Sequence, residues 1–160
     1  MSLAGKDEVF NFGGKTIIME NKKLYGVWID SKQAFIIIFE NESYKTETVF
    51  STIEDFHPLG GSRSKVPWGP MEKISEKKYL ERRKHQEQKY FEEIKKVIKS
   101  SKQVYLFGPA EMKDKLEDDL LNNNNFKNCT VEAESADSMT DRQKIAKAKD
   151  FFGLNEIPQT

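Results

Sequence analysis

The sequence is poor in the residues that build disulfide-bonded and metal-bound cores: its 160 residues include one cysteine and two histidines. Cys129 alone cannot form an intrachain disulfide, which is typical of proteins from a reducing compartment. Neither His57 nor His85 lies at a metal-ligand spacing from Cys129, and a zinc site needs about four ligands. The sequence therefore predicts no disulfide and no bound metal, and nothing in it indicates another cofactor.

Long apolar runs and an excess of charge of one sign are also missing. No apolar stretch approaches the roughly 20 residues that span a bilayer, and no signal-peptide pattern opens the chain. We therefore expect a cytoplasmic protein without a membrane partner. Lysine plus arginine equals aspartate plus glutamate, at 26 each. Because the charges balance, any attraction to nucleic acid has to come from a local patch of basic residues.

Three segments between residues 24 and 50 have the composition of consecutive antiparallel strands. Residues 24–29 and 34–39 are rich in β-branched and aromatic side chains and flank a turn that begins at Asp30. Residues 42–50 alternate polar and apolar side chains, which predicts a strand with one face in solvent. Residues 1–23 predict a loose hairpin or an added strand.

A long helix is predicted from residue 71 to about 99, and its first half is unusually polar. Residues 81–89 contain no apolar side chain, no glycine and no proline. A helix that is polar on all sides has nothing to bury against a core, so we expect residues 71–89 to project from the body. Further along, apolar residues at helical spacing predict packing against a sheet: Tyr90, Phe91, Ile94, Val97 and Ile98.

The second half alternates predicted strands and helices. A strand at residues 103–107 leads into Gly108, and Pro109 is expected at the first position of a helix. That helix carries one apolar stripe, formed by Met112, Leu116 and Leu120. The run of asparagines at 122–125 should end it.

A last strand at residues 128–133 precedes a helix that opens with a capping-box pattern, Thr140 to Gln143, and stops at Gly153. The order is β-β-β-α-β-α-β-α, and helical crossovers imply parallel pairing in the later half. We predict a single three-layer α/β domain over residues 24–153, with a mixed five-stranded sheet between helices and a frayed tail after residue 153.

Several short motifs accompany this order: Gly60-Gly61-Ser62-Arg63 before the long helix, Val27-Trp-Ile-Asp30 with Ala34-Phe35, Gly-Pro-Ala-Glu-Met-Lys at 108–113, and Met139-Thr-Asp-Arg-Gln-Lys144. Together they resemble the middle domain of the eukaryotic and archaeal class-one release factor and of Pelota. The resemblance is greater still to bacterial relatives of the translational machinery protein type. It covers about residues 24–153 and implies a ribonuclease-H-like fold and an association with ribosome or tRNA.

In release factors the loop before the long helix carries Gly-Gly-Gln, whose glutamine supports hydrolysis of peptidyl-tRNA. The corresponding place in this chain holds Gly60-Gly61-Ser62. Serine lacks the carboxamide and the reach of glutamine. The resemblance therefore implies RNA association without peptidyl-tRNA hydrolysis.

The candidate RNA-binding surface combines this loop with the basic half of the helix. Backbone N–H groups of a Gly-Gly turn can approach a phosphate, basic side chains attract the RNA backbone whatever its sequence, and a loop tryptophan can stack on an unpaired base. The structural alternative is a solvated helix with intrahelical ion pairs and a loop that only connects. The surface consists of Gly60, Gly61, Ser62, Arg63, Lys65, Trp68, Lys77, Lys78, Arg82, Arg83 and Lys84.

Two other functions stay open. Asp30 ends a strand where ribonuclease-H-like nucleases hold a metal-binding carboxylate, so a metal-dependent nuclease or hydrolase is the enzymatic alternative. Aspartate is also a favoured turn residue, which gives Asp30 a purely structural interpretation. A protein-interaction module built on the long helix is the other alternative, although the helix lacks the apolar stripe of a coiled coil. The oligomeric state is left open.

Overall fold

The computed structural model describes residues 8–12, 15–19, 23–55, 70–156 and 158–159. Within these residues the chain forms seven strands and three α-helices, with one 3-10 turn at Asn124–Phe126. The elements are β1 (Glu8–Phe12), β2 (Lys15–Met19), β3 (Leu24–Ile29), β4 (Gln33–Glu40), β5 (Ser43–Phe50), α1 (Pro70–Val97), β6 (Gln103–Gly108), α2 (Met112–Leu121), β7 (Thr130–Ser135) and α3 (Asp141–Phe152).

The main sheet has five strands in the order β5-β4-β3-β6-β7. Strand β4 pairs antiparallel with both β3 and β5. Strand β6 pairs parallel with β3 and with β7, as helical crossovers require. The predicted mixed α/β sheet is therefore confirmed.

A second, two-stranded sheet lies upstream. Strands β1 and β2 pair antiparallel with Phe12 opposite Lys15, so the hairpin is the correct one of the two alternatives for this part of the chain. The sheet is separate from the five-stranded one.

Helices cover both faces of the main sheet, as predicted. Helices α1 and α2 pack on one face, where the apolar residues of α1 that begin at Tyr90 meet the stripe of α2. Helix α3 packs on the other face, against aromatic residues of β3, β4 and β6. The first cluster is built mainly from Val27, Ile29, Ile36, Tyr90, Phe91, Ile94, Ile98, Leu106, Met112, Leu116 and Leu120, and the second from Trp28, Phe35, Phe39, Tyr105, Phe107 and Ala148.

The start of α2 differs from the prediction, because the helix begins at Met112 and not at Pro109. Ala110 has a left-handed backbone with φ of 54°, which a right-handed helix cannot contain. Gly108 also has a positive φ, 147°, and a Cβ there would lie 2.3 Å from the carbonyl oxygen of Ile29. The motif at 108–113 is thus a tight strand-to-helix turn in which the chain passes directly against β3.

Helix α3 has the ends that its sequence predicts. The Thr140 Oγ1 accepts from the N–H of Gln143 at 3.3 Å, and the Gln143 Oε1 accepts from the N–H of Thr140 at 2.9 Å. Gly153 ends the helix with φ of 69°. Inside the helix, the buried Lys144 places its ammonium 4.0 Å from the centre of the Trp28 ring and 3.2 Å from Asp141. The motif at 139–144 therefore fixes α3 on the sheet.

Candidate nucleic-acid interface

The interface predicted from the sequence centres on the first half of α1, which the structure describes from Pro70 onward. Between Ile74 and Lys89 the helix carries six basic and three acidic side chains. Residues 74–78 are all exposed, whereas Tyr79 is buried with 8 % of its surface accessible. The basic half of α1 thus presents charged side chains to solvent, interrupted by one buried aromatic ring.

The segment after β5 is bound to this part of α1 through Glu54. The Glu54 carboxylate accepts from Arg82 Nη2 at 2.8 Å, and the Glu54 carbonyl oxygen accepts from Arg83 Nη1 at 2.9 Å. The Glu54 N–H donates to Gln86 Oε1 at 3.0 Å. The Arg82 hydrogen bond lowers the pKa of Glu54 and so favours the charged pair. We call these three contacts the Glu54 clamp.

A second set of charges connects α1 to α2. Glu87 accepts from Lys115 at 3.1 Å and also lies 3.5 Å from Arg83 Nε. Lys115 is in turn 3.4 Å from Glu111. Burial disfavours the charged form of Lys115, but Glu87 and Glu111 outweigh it and raise the lysine pKa.

The prediction that residues 71–89 stand clear of the body is therefore wrong between Tyr79 and Glu87. The premise that this stretch has nothing apolar to bury holds for residues 81–89, but polar groups can dock a helix without apolar contact when they find hydrogen-bond partners. Glu54 and Lys115 supply those partners from β5's end and from α2. Arg82 and Arg83, predicted to bind RNA, are engaged in holding the protein together.

Three predicted cations remain directed to solvent. Lys77, Lys78 and Lys84 are exposed, and none forms an ion pair with the residues that the structure describes. Glu76 and Glu81 are exposed on the same helix. The other acid of this half, Glu87, is already neutralised by Arg83 and Lys115. The exposed charge of the half-helix is consequently positive.

The loop half of the predicted surface falls outside the described residues. This applies to Gly60, Gly61, Ser62, Arg63, Lys65 and Trp68, and likewise to His57. The loop follows Asp55 and precedes Pro70, so its two ends adjoin the Glu54 clamp and the first turn of α1.

Asp30 has a structural role in the turn between β3 and β4. Its Oδ1 accepts from the N–H of Lys32 at 2.7 Å and from the N–H of Gln33 at 2.8 Å. The backbone oxygen of Asp30 accepts from the buried Tyr90 hydroxyl at 3.0 Å. In the described part of the chain, no three His, Cys, Asp or Glu side chains are grouped so that they could hold a metal ion. The turn interpretation of Asp30 is the one that the contacts bear out.

Sequence reasoning missed a groove of about 740 Å³ between α1 and β5. Its lining includes Tyr25 and Ile38 together with charged residues of both signs. No local signal could have indicated it, because the residues of β5 and α1 that line it lie far apart in the chain. The charged lining consists of Lys23, Glu40, Lys45, Glu47, Lys89, Glu93 and Lys96.

No helix within the described residues is long and apolar enough to cross a membrane.

Comparison with known proteins gives solved structures alone: no family model matches the chain, and no curated protein matches it. Pelota from Thermoplasma acidophilum is 16% identical with a TM-score of 0.46, over 81% of this chain and 32% of that protein. Pelota from Archaeoglobus fulgidus is 12% identical with a TM-score of 0.46, over 84% and 33%. The archaeal translation termination factor aRF1 is 14% identical with a TM-score of 0.43, over 83% and 36%. The chain spans about a third of the length of these proteins.

Proposed function

We propose that this chain is an RNA-binding module that associates with the ribosome or tRNA, built as one release-factor middle-domain-like unit over residues 24–153. The observation that carries the proposal is the set of exposed lysines on the first half of α1, Lys77, Lys78 and Lys84, which lack ion pairs within the described residues. Unpaired surface cations are what a phosphate backbone requires, because its binding releases condensed counterions and needs no base-specific contact.

The Glu54 clamp gives this surface a defined position. It binds Glu54, two residues before Phe56, to helix α1, which begins directly after residue 69. The loop residues Gly60, Gly61, Ser62, Arg63, Lys65 and Trp68 are proposed to extend the same contact surface, as the sequence motifs imply. Arg82 and Arg83 support the surface in this scheme, since their guanidinium groups already bind Glu54.

No catalytic activity is part of the proposal. Ser62 stands where the resemblance implies glutamine, and serine has no carboxamide to position water at an ester. A metal-dependent nuclease has less support, because the Asp30 carboxylate already accepts two backbone hydrogen bonds in its turn. We expect purified protein to bind tRNA or ribosomal subunits without releasing peptide from peptidyl-tRNA.

Filter binding with tRNA and with ribosomal subunits at several salt concentrations tests the proposal. The variant Lys77→Glu/Lys78→Glu/Lys84→Glu replaces three cations by three anions. If each lysine neutralises one phosphate, the slope of log K against log salt falls by about two to three in the variant, and its affinity at low salt drops at least tenfold.

The matched control is Lys99→Glu/Lys102→Glu/Lys127→Glu, which makes the same change in net charge beyond the other end of α1. These three lysines are also exposed and also lack ion pairs among the described residues. We expect the control to retain most of the affinity. Absence of binding at low salt, or an equal loss in both variants, would show that the first half of α1 is not the contact surface.

A further inference from the structure

Strand β5 is an edge of the main sheet, and the direction of its peptide groups can be read from two hydrogen bonds. The N–H of Ser51 donates to the Lys32 carbonyl oxygen at 2.8 Å, on the side of β4. The N–H of Tyr44 donates to the Pro158 carbonyl oxygen at 3.1 Å, on the opposite side. Because peptide groups alternate along a strand, the even-numbered residues Tyr44, Thr46, Thr48 and Phe50 direct their N–H and C=O groups away from β4.

Within the part of the chain that the structure describes, a partner lies on the outer side of β5 at one end only. Near the C-terminus, Gln159 forms a parallel bridge with Tyr44. Beyond that point, β5 has no sheet partner other than β4 among the described residues. Among the described residues, Thr46, Thr48 and Phe50 therefore form an open edge, on a strand that pairs with β4 over eight consecutive residues. Open edges of this kind accept a further strand.

Phe50 makes this edge different from an ordinary polar one. Its side chain is 72 % exposed, the largest value among the exposed large hydrophobic residues that the structure describes. It opposes Gln33 of β4, on the α3 face of the sheet, and Thr48 and Thr46 share that face. A strand added at this edge would cover the phenyl ring and satisfy the backbone groups at once.

We infer that the open edge of β5 binds the same edge of a second copy of this chain, in an antiparallel pair centred on Thr48. The two-fold axis then passes between the two Thr48 residues, which form a hydrogen-bonded pair, and Phe50 lies opposite Thr46 of the second copy. The sheets join into one continuous ten-stranded sheet. Oligomerisation of this kind goes beyond the RNA contact at α1 and does not depend on it.

We chose this register by comparing the residues that each alternative register would place opposite one another. A pair centred on Thr46 would use the outward backbone groups of Tyr44. Pro158 and Gln159 already occupy that part of the strand edge. Centring it between Thr46 and Thr48 places Glu47 directly opposite Glu47 of the second copy, and like charges facing each other across strands are destabilising. The pair centred on Thr48 avoids both problems and places Glu47 opposite Val49.

The contacts also favour a second copy over an unrelated extended peptide. An isologous pair uses one surface twice, so both exposed Phe50 rings are covered by a single association. The side chain of Thr46 that each ring meets is only partly exposed and neutral. Each monomer thus supplies the apolar group and the site that receives it.

Sedimentation at several concentrations, combined with a proline variant of the edge, tests the inference. Thr48→Pro removes an N–H that points away from β4, and edge positions of this type tolerate proline. We expect the variant to keep the wild-type melting temperature within a few degrees while its dimer dissociation constant rises at least tenfold. Thr48→Val is the matched control, because it keeps the N–H and the branched side chain, and it should dimerise like the wild type.

Disulfide trapping tests the register without depending on the proline variant. In a Cys129→Ser background, Thr48→Cys places two thiols on Cα atoms about 5.5 Å apart, within disulfide range. Thr46→Cys places its thiols about 13 Å apart in the same dimer. We expect oxidation to link Thr48→Cys and not Thr46→Cys. A monomer at all concentrations, a dimer that survives Thr48→Pro, or faster linkage through Thr46→Cys would overturn the inference.

Discussion

Glu54 demonstrates how one residue can hold a helix segment that has no apolar side chains. Its carboxylate, carbonyl oxygen and N–H each bond to a different side chain of α1. Two of the three contacts use the backbone of Glu54, so they do not depend on its carboxylate. The charged contact sets the orientation of Arg82, whereas the backbone contacts set the path of the chain before the loop.

The charge on Glu54 should stabilise the protein slightly and only in one pH range. Arg82 lowers the folded-state pKa of Glu54, so the stabilisation is present above the ordinary glutamate value of about 4.3 and is lost as the pH falls through the lower folded value. We expect Glu54→Gln to lower the melting temperature a little at neutral pH, with the difference vanishing in acid. Asp55→Asn is the control, since Asp55 is exposed and has no ion pair within the described residues, and it should change nothing at either pH. A difference that persists in acid would contradict this origin.

Among the glycines of the fold, Gly108 is the one at which adding a methyl group should destabilise the protein most. A Cβ there would lie 2.3 Å from the Ile29 carbonyl oxygen, which is part of β3 and cannot move aside. We expect Gly108→Ala to lower the free energy of unfolding by about 3 kcal/mol or more, measured by urea denaturation. Gly153→Ala provides the comparison, because Gly153 also has a positive φ but nothing lies within 4 Å of its Cβ position. That change should cost only about 1–2 kcal/mol, and an equal cost at both sites would rule out the steric explanation.

Helix α3 and strand β3 approach so closely that a single methyl group decides their spacing. A Cβ on Gly26 would meet the Cβ of Ala148 at 2.7 Å. We expect Gly26→Ala to destabilise the protein by about 1–3 kcal/mol by pushing α3 off the sheet. Ala148→Gly alone should cost about 1 kcal/mol, as glycine does inside a helix.

The double variant Gly26→Ala/Ala148→Gly separates packing from backbone effects. Moving the methyl group from helix to strand preserves the contact, so we expect the double variant to be more stable than the sum of the single changes by about 1 kcal/mol or more in urea denaturation. Additive costs would mean that the two residues do not share one contact.

The elements that could be predicted are those whose signals are local. The capping box at Thr140, the stop at Gly153 and the apolar spacing after Tyr90 each lie within one or two helical turns, and each is confirmed. The turn at Asp30 is local as well, since its side chain bonds two and three residues ahead. Parallel pairing of β6 followed from chain connectivity, which the order of elements already contains.

The features that could not be predicted depend on contacts between distant parts of the chain. The delayed start of α2 coincides with the left-handed backbone of Ala110, in a turn whose Gly108 lies directly against Ile29 of β3, far earlier in the chain. The docking of α1 depends on Glu54, which is 28 and 29 residues from the arginines that it binds. Neither contact leaves a periodic pattern in the sequence, and composition alone indicated a free helix. The RNA-binding role of the loop from Gly60 to Trp68 stays a prediction.

Three buried tyrosines connect separate elements of the fold through their hydroxyl groups. Tyr25 of β3 donates to the Lys99 carbonyl oxygen at 3.3 Å, and Tyr90 of α1 donates to the Asp30 carbonyl oxygen at 3.0 Å. Tyr105 of β6 donates to Glu134 of β7 at 2.6 Å. Burial raises the pKa of Tyr25 to about 12 and also raises the pKa values of Tyr90 and Tyr105. The folded protein therefore retains protons that the unfolded chain releases near pH 10.

These raised pKa values predict that the folded protein loses stability as the pH rises above about 10. Between the unfolded value of about 10 and the folded values, the native state binds more protons than the unfolded state, so stability is present below about pH 10 and falls as the pH rises. We expect the tyrosinate absorbance of these phenols to appear together with the loss of circular dichroism and not before it. Each fully buried phenol contributes a loss of at most about 1.4 kcal/mol per pH unit.

The variant Tyr90→Phe tests this linkage, because it removes one buried hydroxyl while retaining the ring. At neutral pH we expect it to be about 1 kcal/mol less stable than the wild type, since the Asp30 carbonyl oxygen loses its donor. Above about pH 10 the variant has no phenol to deprotonate at this position, so its stability should fall less steeply and the two urea-denaturation curves should converge. Parallel stability profiles across this range would mean that the Tyr90 hydroxyl ionises in the folded protein, and the connection between α1 and the turn after β3 would then be open to solvent.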